Sequence, residues 1–450
     1  MVGLILMSLV AYVPYEVWWP MFQYDPLNTS AFPCYKLTGP GLDSFYIKWQ
    51  KDYWWDMGGQ PAIADVDGDG AGDVIFGTKH CVVVLNGLNG DTIWTSRGDA
   101  EGSGAIGGEA PAIWDVDDDG ELEVVAAGDA KSYPWLLNSR TGHLKKGGIR
   151  NPECSSSPAT LVDVDDDNKI DIVSGAFALN GSDLSEKWEY TLDYFGGEKV
   201  ILATAVGDIN NDGVLEAVLG TQKVGPGIHR VHAVDARTGN VIWVNDAIGE
   251  PFSSPTIADV DGDGKLDVVM ATIYYPNKRV YVLDGENGSV KWSHIITGSS
   301  DGCNAEYTAG LAVGDVDGDG GVEIITSVVW GLPGNEPKDS VGFVCISGNS
   351  GVEEWHFKAE NLRFQGVSYP VLTCTPTLVD LDNDGILEIV LGDNNSNCYL
   401  VKGDGSLIWK HHFHVPHPPY DDGYHVVIHG HAVGDVDGDG CLEIVGVSGG

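Results

Sequence analysis

The stretch Asp259-Val-Asp-Gly-Asp-Gly-Lys-Leu-Asp267 carries an acidic side chain at its first, third, fifth and ninth positions. Short apolar runs flank it, residues 255–258 before and residues 268–272 after, and both contain β-branched side chains. Runs of this kind, bounded by Gly, Asp or Pro, are typical of short strands. The stretch therefore predicts two strands joined by a tight loop that concentrates carboxylates.

This nine-residue loop recurs eight times, and successive copies begin 45 to 65 residues apart. That interval is the length of one four-stranded propeller blade. After the loop quoted above, residues 279–283 and 289–293 read as a third and a fourth strand, and no segment shows a long helical period. The sequence therefore predicts an all-β, eight-bladed β-propeller with four-stranded blades over residues 44–450, preceded by an apolar and aromatic segment at residues 1–43.

The loops are candidate metal sites, because alternate carboxylates converge on one point when the chain curls around them. Gly264 at the sixth position permits the sharp bend, and the backbone carbonyl of the seventh residue adds an oxygen. Oxygen ligands in this number suit Ca²⁺ better than Mg²⁺ and disfavour metals that prefer thiolate or imidazole. The predicted ligands are Asp65, Asp67, Asp69 and Asp73; Asp115, Asp117, Asp119 and Glu123; Asp163, Asp165, Asp167 and Asp171; Asp208, Asn210, Asp212 and Glu216; Asp259, Asp261, Asp263 and Asp267; Asp315, Asp317, Asp319 and Glu323; Asp380, Asp382, Asp384 and Glu388; and Asp435, Asp437, Asp439 and Glu443.

We expect seven or eight Ca²⁺ ions, about one per blade, and the loop with Asn210 is the one expected to be left without an ion. Asn168 stands where the other loops have Gly, and a left-handed Asn still permits the bend. An EF-hand begins in the same way but requires Glu at position 12, where the first and fifth loops have Phe76 and Met270. The EF-hand is therefore rejected, and the predicted ions are structural.

The charge of the chain supports bound cations and excludes two classes of partner. With 66 acidic and 25 basic residues the formal net charge is −41, and about half of the acidic residues lie within the eight loops. Nucleic acid and anionic membrane surfaces both need a basic footprint. Residues 4–13 are apolar but too short to span a membrane. Calcium sites of modest affinity suit an extracellular or cell-surface protein.

The sequence does not decide whether the cysteines form disulfides or whether the N-glycosylation sites are used. Eight cysteines contain no C-x-x-C pair, so buried free thiols and disulfides are both compatible with the sequence. Four Asn-x-Ser/Thr sites would accept N-glycans in a secreted glycoprotein, at Asn28, Asn180, Asn287 and Asn394.

A second repeated signal is a Gly followed four residues later by a Trp. It occurs at Gly90/Trp94, Gly239/Trp243, Gly288/Trp292, Gly351/Trp355 and Gly405/Trp409. The Gly suits a turn with a positive φ, and a Trp on the outer strand offers a large flat surface to the next blade. An aromatic cage for a sugar is the alternative role for these Trp side chains.

Taken together, the motifs over residues 44–450 resemble the FG-GAP (VCBS-type) repeat family of calcium-binding β-propellers, which includes integrin-α-like blades. Residues 233–243, Ala-Val-Asp-Ala-Arg-Thr-Gly-Asn-Val-Ile-Trp, resemble the tryptophan-docking turn of quinoprotein propellers. The family resemblance implies calcium in the loop between the first two strands of each blade. The family includes adhesion heads, secreted surface proteins and some polysaccharide lyases, so it does not choose between binding and catalysis.

Two functions are therefore kept. The first is a secreted or cell-surface structural and adhesive module that binds protein, carbohydrate or copies of itself; the second is a lyase-like carbohydrate-active enzyme that uses the channel face. The sequence shows no cluster of basic residues to neutralise a uronate and no adjacent Cys pair to hold a quinone cofactor, so the first is preferred. The residues just before each first strand are Gln60, Glu109, Ser157, Thr204, Ser254, Thr308, Thr375 and His429, of which only Glu109 and His429 suit acid–base chemistry.

Seven histidines lie within residues 411–431. They are compatible with a transition-metal site, and the alternative interpretation is a polar insertion followed by a strand. The seven are His411, His412, His414, His417, His425, His429 and His431.

The sequence also predicts how the propeller ring closes. After the eighth loop the sequence supplies one more strand, so residues 45–49 are expected to form the outer strand of the last blade. Residues 4–13 are expected to add its missing strand, either in the same molecule or in a neighbour, and strand addition between neighbours would build a filament.

Overall fold

A computed structural model of the chain describes residues 17–19, 31–32, 46–51, 57–78, 81–97, 110–126, 134–147, 157–192, 198–200, 203–223, 229–272, 279–296, 310–330, 340–360, 363–364, 367–368, 374–393, 397–413 and 427–449. These residues form strands, turns and loops. Two short strands precede the repeats, β1 (Val17–Trp19) and β2 (Ala31–Phe32).

Seven four-stranded antiparallel blades follow, each built from consecutive strands. The first comprises β3 (Met57–Ala64), β4 (Asp73–Thr78), β5 (Cys81–Leu85) and β6 (Thr92–Arg97). The second comprises β7 (Ala112–Trp114), β8 (Glu123–Ala126), β9 (Trp135–Asn138) and β10 (Leu144–Gly147). The third comprises β11 (Thr160–Val162), β12 (Asp171–Ser174), β13 (Phe177–Asn180) and β14 (Glu186–Glu189). The fourth has an additional short strand, β15 (Glu198–Val200), before β16 (Ala205–Gly207), β17 (Glu216–Lys223), β18 (Arg230–Asp235) and β19 (Val241–Asn245).

The fifth blade comprises β20 (Thr256–Ala258), β21 (Asp267–Thr272), β22 (Arg279–Asp284) and β23 (Val290–Ile295). The sixth comprises β24 (Ala312–Gly314), β25 (Glu323–Trp330), β26 (Ser340–Ser347) and β27 (Glu353–Lys358), and a small hairpin follows, β28 (Arg363–Phe364) and β29 (Val367–Ser368). The seventh comprises β30 (Thr377–Val379), β31 (Glu388–Gly392), β32 (Asn397–Val401) and β33 (Leu407–His412). The last two strands are β34 (Val427–Gly434) and β35 (Glu443–Gly449), which form a two-stranded antiparallel sheet.

The blades surround a common axis. The first strand of each blade contacts the first strand of the next, in the order β3, β7, β11, β16, β20, β24 and β30, and β34 completes the circle between β30 and β3. Apolar clusters fill the spaces between consecutive blades, and the cluster between the seventh and the first also includes Ala432 and Val447 of the two-stranded sheet. Each blade is thus covered on both faces, which is why all six residues of β4 and of β21 are buried.

The prediction of eight four-stranded blades is wrong: the described residues contain seven, and the eighth loop lies in the two-stranded sheet. The predicted count came from the loops, and each loop needs only the first and second strands of a blade. Eight loops therefore do not require eight complete blades.

The junction beside the two-stranded sheet also differs from the prediction. Residues 46–50 are not a strand, and among the described residues no strand from the N-terminal segment pairs with β34 or β35. Instead β1 pairs with β3, and β2 pairs in parallel with β30. Residues 4–13, expected to close the ring or to enter a neighbour, lie outside the described residues.

Lys48 and Trp49 nevertheless bridge this junction with their side chains. Lys48 Nζ pairs with Asp437 and lies 2.7 Å from Glu443 Oε1, both in the eighth loop. Trp49 Nε1 donates to the carbonyl of Gly87 in the first blade at 2.6 Å. Residues 46–51 therefore contact the sheets on both sides of the junction, although they are not paired as a strand.

The outer-strand Trp side chains pack between blades, as predicted. The indole Nε1 of Trp243 donates to the carbonyl of Gly285 at 2.7 Å, and its ring covers Gly288, where an added Cβ would lie 2.5 Å from the ring. The same donation to the turn of the next blade is made by Trp94, Trp188, Trp292 and Trp355. These five indoles are occupied by inter-blade contacts, which argues against their forming a sugar cage.

Candidate metal centres

Each acidic loop is held by hydrogen bonds from its own backbone to its own carboxylates. In the first loop Asp65 Oδ2 accepts from the Gly70 amide at 3.0 Å, and Asp65 Oδ1 accepts from the Gly68 amide at 2.6 Å. Asp69 Oδ1 accepts from the Ala71 amide at 2.9 Å. The first-position carboxylate therefore organises the curl of the loop.

The curl also depends on two left-handed residues in every loop. The sixth position has a positive φ in all eight copies, as predicted, and Asn168 adopts it at 64°. The fourth position does the same, which the sequence analysis missed. Its residues are Gly68, Asp118, Asp166, Asn211, Gly262, Gly318, Asn383 and Gly438. The signal was present in the sequence, because Gly, Asn and Asp are the residues that tolerate this conformation.

The ninth-position carboxylate is the most buried predicted ligand of every loop except the eighth, where Asp435 is more buried than Glu443. It is the first residue of the second strand, and it is 0% exposed at Asp73 and at Glu123. It accepts a hydrogen bond from the amide of the second loop residue, as Asp73 Oδ2 does from Val66 at 3.1 Å. Burial, with a contribution from the other loop carboxylates, raises the pKa of Glu216, Glu323 and Glu388 to about 7.

The predicted ligands meet in compact groups. Oxygens of three carboxylates lie within 4.8 Å of one another in Asp65, Asp67 and Asp73; in Asp115, Asp117 and Glu123; in Asp163, Asp165 and Asp171; in Asp259, Asp261 and Asp263; and in Asp315, Asp317 and Glu323. One oxygen of Asp117 and one of Asp165 is buried without a hydrogen bond. A hard cation fits such a set, because it supplies positive charge to buried carboxylates and a partner for their oxygens.

In the fourth loop an amide takes part in the group. Asn210 Nδ2 donates to Glu216 Oε1 at 3.1 Å, so the two side chains predicted as ligands are bonded to each other. An ion coordinated by Asn210 Oδ1 and Glu216 Oε1 would have to compete with this hydrogen bond. The geometry is in line with the expectation that this loop is the weakest of the eight.

The histidine-rich segment is not a single site among the described residues. His411 stacks on Trp409, and His412 Nδ1 lies 3.2 Å from Asn397 Oδ1. His431 is buried between two thiols, with Cys374 Sγ 3.5 Å from Nδ1 and Cys398 Sγ 3.5 Å from Nε2. His414, His417 and His425 lie outside the described residues, as does the side chain of His429, so a metal site there stays a prediction.

Cys374, His431 and Cys398 form a cluster that the sequence analysis did not identify. Their positions, 374, 398 and 431, carry no motif spacing, and only the packing of the seventh blade against β34 brings them together. Burial lowers the pKa of His431 to about 4 and raises the pKa of the Cys398 thiol to about 12. These neutral groups fit a structural hydrogen-bond chain. Among the described cysteines, Cys345, Cys374 and Cys398 are free thiols.

Several candidate channel residues are used to join neighbouring blades. Gln60 Nε2 donates to the carbonyl of His431 at 2.8 Å, and Thr204 Oγ1 donates to the carbonyl of Gly175 at 2.9 Å. Ser254 Oγ accepts from the amide of Ala203 at 3.1 Å. Glu109 and Thr308 lie outside the described residues. Each of these three side chains is therefore hydrogen-bonded to a backbone group of a neighbouring sheet, and this contact explains a polar residue at its position without a catalytic role.

Sequence comparison identifies the repeats. Residues 259–326 and 380–446 match the family of FG-GAP-like repeats. The chain carries FG-GAP-like repeats in a β-propeller. It is also similar to the T-cell immunomodulatory protein homolog of Plasmodium falciparum (isolate 3D7), with 31% identity over 137 residues, which is 26% of this chain and 18% of that protein. The matched segment is thus a small part of that relative.

Solved structures share the fold at low sequence identity. A europium-containing methanol dehydrogenase superposes with a TM-score of 0.65 at 11% identity, over 96% of this chain and 90% of that chain. The Vibrio cholerae biofilm matrix protein Bap1 superposes with a TM-score of 0.57 at 14% identity, over 87% of this chain and 85% of that chain. These likenesses concern the propeller fold alone. In the described part of the chain, no helix is long and apolar enough to cross a bilayer.

Proposed function

We propose that this chain is a calcium-stabilised β-propeller that acts as a binding module outside the cell or on its surface. The observation that carries the proposal is the buried ninth-position carboxylate, such as Asp73 at 0% exposure, grouped with two further carboxylates of its loop. Buried like charges are costly unless a cation neutralises them. The all-oxygen donor set favours Ca²⁺, and the FG-GAP-like repeats are in line with that choice.

The loops hold an ion by a division of roles within the chain. The first-position aspartate accepts hydrogen bonds from backbone amides and shapes the loop, as Asp65 does, and its carboxylate also lies close to those of the third and ninth positions, Asp67 and Asp73. When bound, calcium supplies charge and links the first two strands of a blade. The role of the ion in this proposal is mechanical, because it stiffens the blade whose outer loops meet the partner.

A binding role is supported over catalysis by the polar side chains near the axis. Gln60, Thr204 and Ser254 are hydrogen-bonded to backbone groups of other blades. Protein and carbohydrate at the cell surface, and copies of the chain itself, are the proposed partners. The net charge of −41 disfavours nucleic acid.

Thermal melting with and without calcium tests the proposal. The melting temperature of the dialysed protein should rise when millimolar Ca²⁺ replaces EGTA, because an ion that binds only the folded state stabilises it. Mg²⁺ at the same concentration should give a smaller rise. An identical melting curve in EGTA and in calcium would overturn the calcium part of the proposal.

Partner binding is tested with immobilised acidic and neutral polysaccharides and with a second, immobilised sample of the protein. Calcium-dependent retention without release of unsaturated uronate supports a binding module. Release of unsaturated uronate from an acidic polysaccharide would replace that function with a lyase. Retention that is the same in calcium and in EGTA would separate binding from the metal loops.

A further inference from the structure

The outer strand of each complete blade contains a bulge at the same place. In the fifth blade Val282 faces Trp292 and Leu283 faces Val290, so Lys291 is the extra residue between them. The third blade repeats this with Lys187, and the second repeats it with Lys145. A β-bulge redirects the side chain of the extra residue. Here the bulge sends a lysine ammonium into the acidic loop of its own blade.

The lysine ammonium contacts the loop carboxylates as a bound cation would. Lys145 Nζ lies 2.8 Å from Asp117 Oδ2, 2.9 Å from Asp119 Oδ2 and 2.8 Å from Glu123 Oε1. These carboxylates occupy the third, fifth and ninth positions, which are predicted metal ligands. The ammonium therefore stands where a metal ion would be coordinated.

Two other loops show the same arrangement. Lys291 Nζ lies 2.8 Å from Asp261 Oδ2 and 2.8 Å from Asp267 Oδ1. Lys187 Nζ lies 2.7 Å from Asp165 Oδ2 and 2.7 Å from Asp171 Oδ2, and its side chain is only 9% exposed.

The eighth loop receives its lysine from another part of the chain. Lys48, just before Trp49, reaches the third- and ninth-position carboxylates Asp437 and Glu443, and its Nζ is 3.9 Å from Asp439 Oδ2. Four of the eight loops thus contain an ammonium group, although the lysines come from separate strands and from the N-terminal side.

The other four loops have a different residue at the same place. The bulge residue is Ile93 in the first blade, Ile242 in the fourth and Ile408 in the seventh. In the sixth blade it is Glu354, whose Oε2 lies 3.7 Å from Cys345 Sγ. An isoleucine brings no charge to the loop, and Glu354 brings a further carboxylate.

We propose that a lysine ammonium in the loop, supplied by the bulge residue of the outer strand or by Lys48, sets the calcium affinity and divides the eight loops into two classes. The loops of the first, sixth and seventh blades bind Ca²⁺ first. The loop of the fourth blade also lacks an ammonium, but its hydrogen bond between Asn210 and Glu216 weakens it separately. The loops that hold Lys48, Lys145, Lys187 or Lys291 bind it more weakly, because the ion must displace the ammonium from the same oxygens. The inference rests on the proposed calcium binding and concerns which loops fill at low calcium and which keep an internal counter-ion.

The four loops that contain a lysine keep their shape without metal, because the ammonium already neutralises part of the loop charge. Unpartnered oxygens of Asp117 and Asp165 remain in two of these loops, so an ion can still enter once the lysine has moved. At low calcium half of the loops would be stabilised by lysine, and at high calcium all of them by the metal.

Direct calcium binding at buffered free Ca²⁺ tests the proposal. The parent protein should give a biphasic isotherm with about three sites in the tighter phase, separated from the rest by about 5- to 150-fold in affinity, the usual range for coupled binding events. Lys291→Gln should move one site from the weaker to the tighter phase. The same variant should melt at a lower temperature than the parent in EGTA, and this difference should shrink in saturating calcium.

Two matched variants separate the ammonium contact from a change of net charge. Lys265→Gln is the control: it removes one positive charge from the same loop and keeps the backbone carbonyl of the seventh position. Because Lys265 Nζ pairs with Glu286 at 3.1 Å rather than with the predicted ligands, this variant should leave the isotherm unchanged. Glu354→Lys, at an exposed position, should remove one site from the tighter phase.

Three results have distinct meanings. A single class of about eight equal sites, unaltered by Lys291→Gln, overturns the two classes and leaves calcium stabilisation intact. Equal shifts for Lys291→Gln and Lys265→Gln would show that net charge alone decides the affinity, which also overturns the inference. A parent protein that binds no calcium overturns the proposed function itself.

Discussion

At the residue scale, the backbone conformation and the free space at single glycines decide whether the acidic loops and the tight turns of a blade form. Gly264 has a φ of 85° and an added Cβ would meet no atom within 4 Å, whereas Gly288 has a φ of 73° under the Trp243 ring. The first glycine is needed for conformation alone. The second is needed for both conformation and space.

Comparing Gly264→Ala with Gly288→Ala in the same blade measures these two needs. Gly264→Ala should reduce the free energy of unfolding by about 1–2 kcal/mol, the cost of a left-handed Ala. Gly288→Ala should cost about 1–3 kcal/mol more, because its Cβ would lie 2.5 Å from the indole and force the ring to move. Denaturant unfolding in saturating calcium is the measurement, and equal losses would contradict the packing role of Gly288.

His431 makes the stability depend on pH. Burial lowers its pKa to about 4, below the unfolded value of about 6.5, so the unfolded chain binds the proton more readily. Its contribution to stability is present above pH 6.5 and is lost as the pH falls towards 4. Between pH 7.5 and pH 5 the loss should be about 2 kcal/mol.

His431→Gln should remove this part of the pH dependence, although it lowers stability at both pH values by breaking the contacts with the two thiols. His143→Gln, at an exposed position, is the control and should keep the dependence of the parent. Unfolding free energies at the two pH values in saturating calcium provide the measurement. A His431→Gln slope equal to that of the parent would contradict the assignment.

At the element scale, five of the seven complete blades are joined to the next by one indole rather than by strand pairing. Trp243, Trp94 and Trp188 use this contact between complete blades, each by donating Nε1 to a backbone carbonyl. Trp49 makes the same contact with Gly87 although residues 46–50 are not a strand. Docking of the indole is therefore independent of strand pairing at this junction.

Replacement of the indole by a phenyl ring tests that equivalence. Trp243→Phe should cost about 1–3 kcal/mol, because the carbonyl of Gly285 loses its donor while the ring remains. Trp49→Phe should cost a similar amount if Lys48 and Trp49 hold the junction. A measured loss for Trp243→Phe together with none for Trp49→Phe would show that residues 46–51 do not contribute to closing the ring.

At the scale of the whole molecule, one sign of charge dominates while the blades are held by apolar contacts. The net charge of −41 repels itself across the disc, whereas the apolar clusters lie between consecutive blades and around the axis. Each bound Ca²⁺ removes two negative charges from a loop. Calcium therefore acts on the whole ring as well as on each loop.

Salt dependence of melting measures this repulsion. In EGTA, raising KCl from about 0.05 to 0.5 M should raise the melting temperature, because the Debye length falls and the acidic loops repel one another less. In millimolar calcium the same change should have a smaller effect. A salt effect of the same size in both conditions would mean that the loops are not the main source of the repulsion.

Much of the fold was predictable because the information is local. Nine consecutive residues determine a loop, so Asp259 to Asp267 predicted the two flanking strands, the left-handed sixth position and the grouped carboxylates. The Gly-to-Trp spacing predicted the packing of Trp243 for the same reason, since the turn and the outer strand are adjacent in sequence. The repeat interval then predicted a propeller of four-stranded blades.

Other features were decided by contacts between residues far apart in the chain. The number of complete blades depends on which strands pair, and residues 46–50 do not pair although their side chains reach Gly87 and Glu443. The His431 cluster exists only because the seventh blade packs on β34. The lysines enter the loops because a bulge turns Lys291 and its equivalents inward, and a bulge is a property of strand register that single-sequence periodicity does not contain.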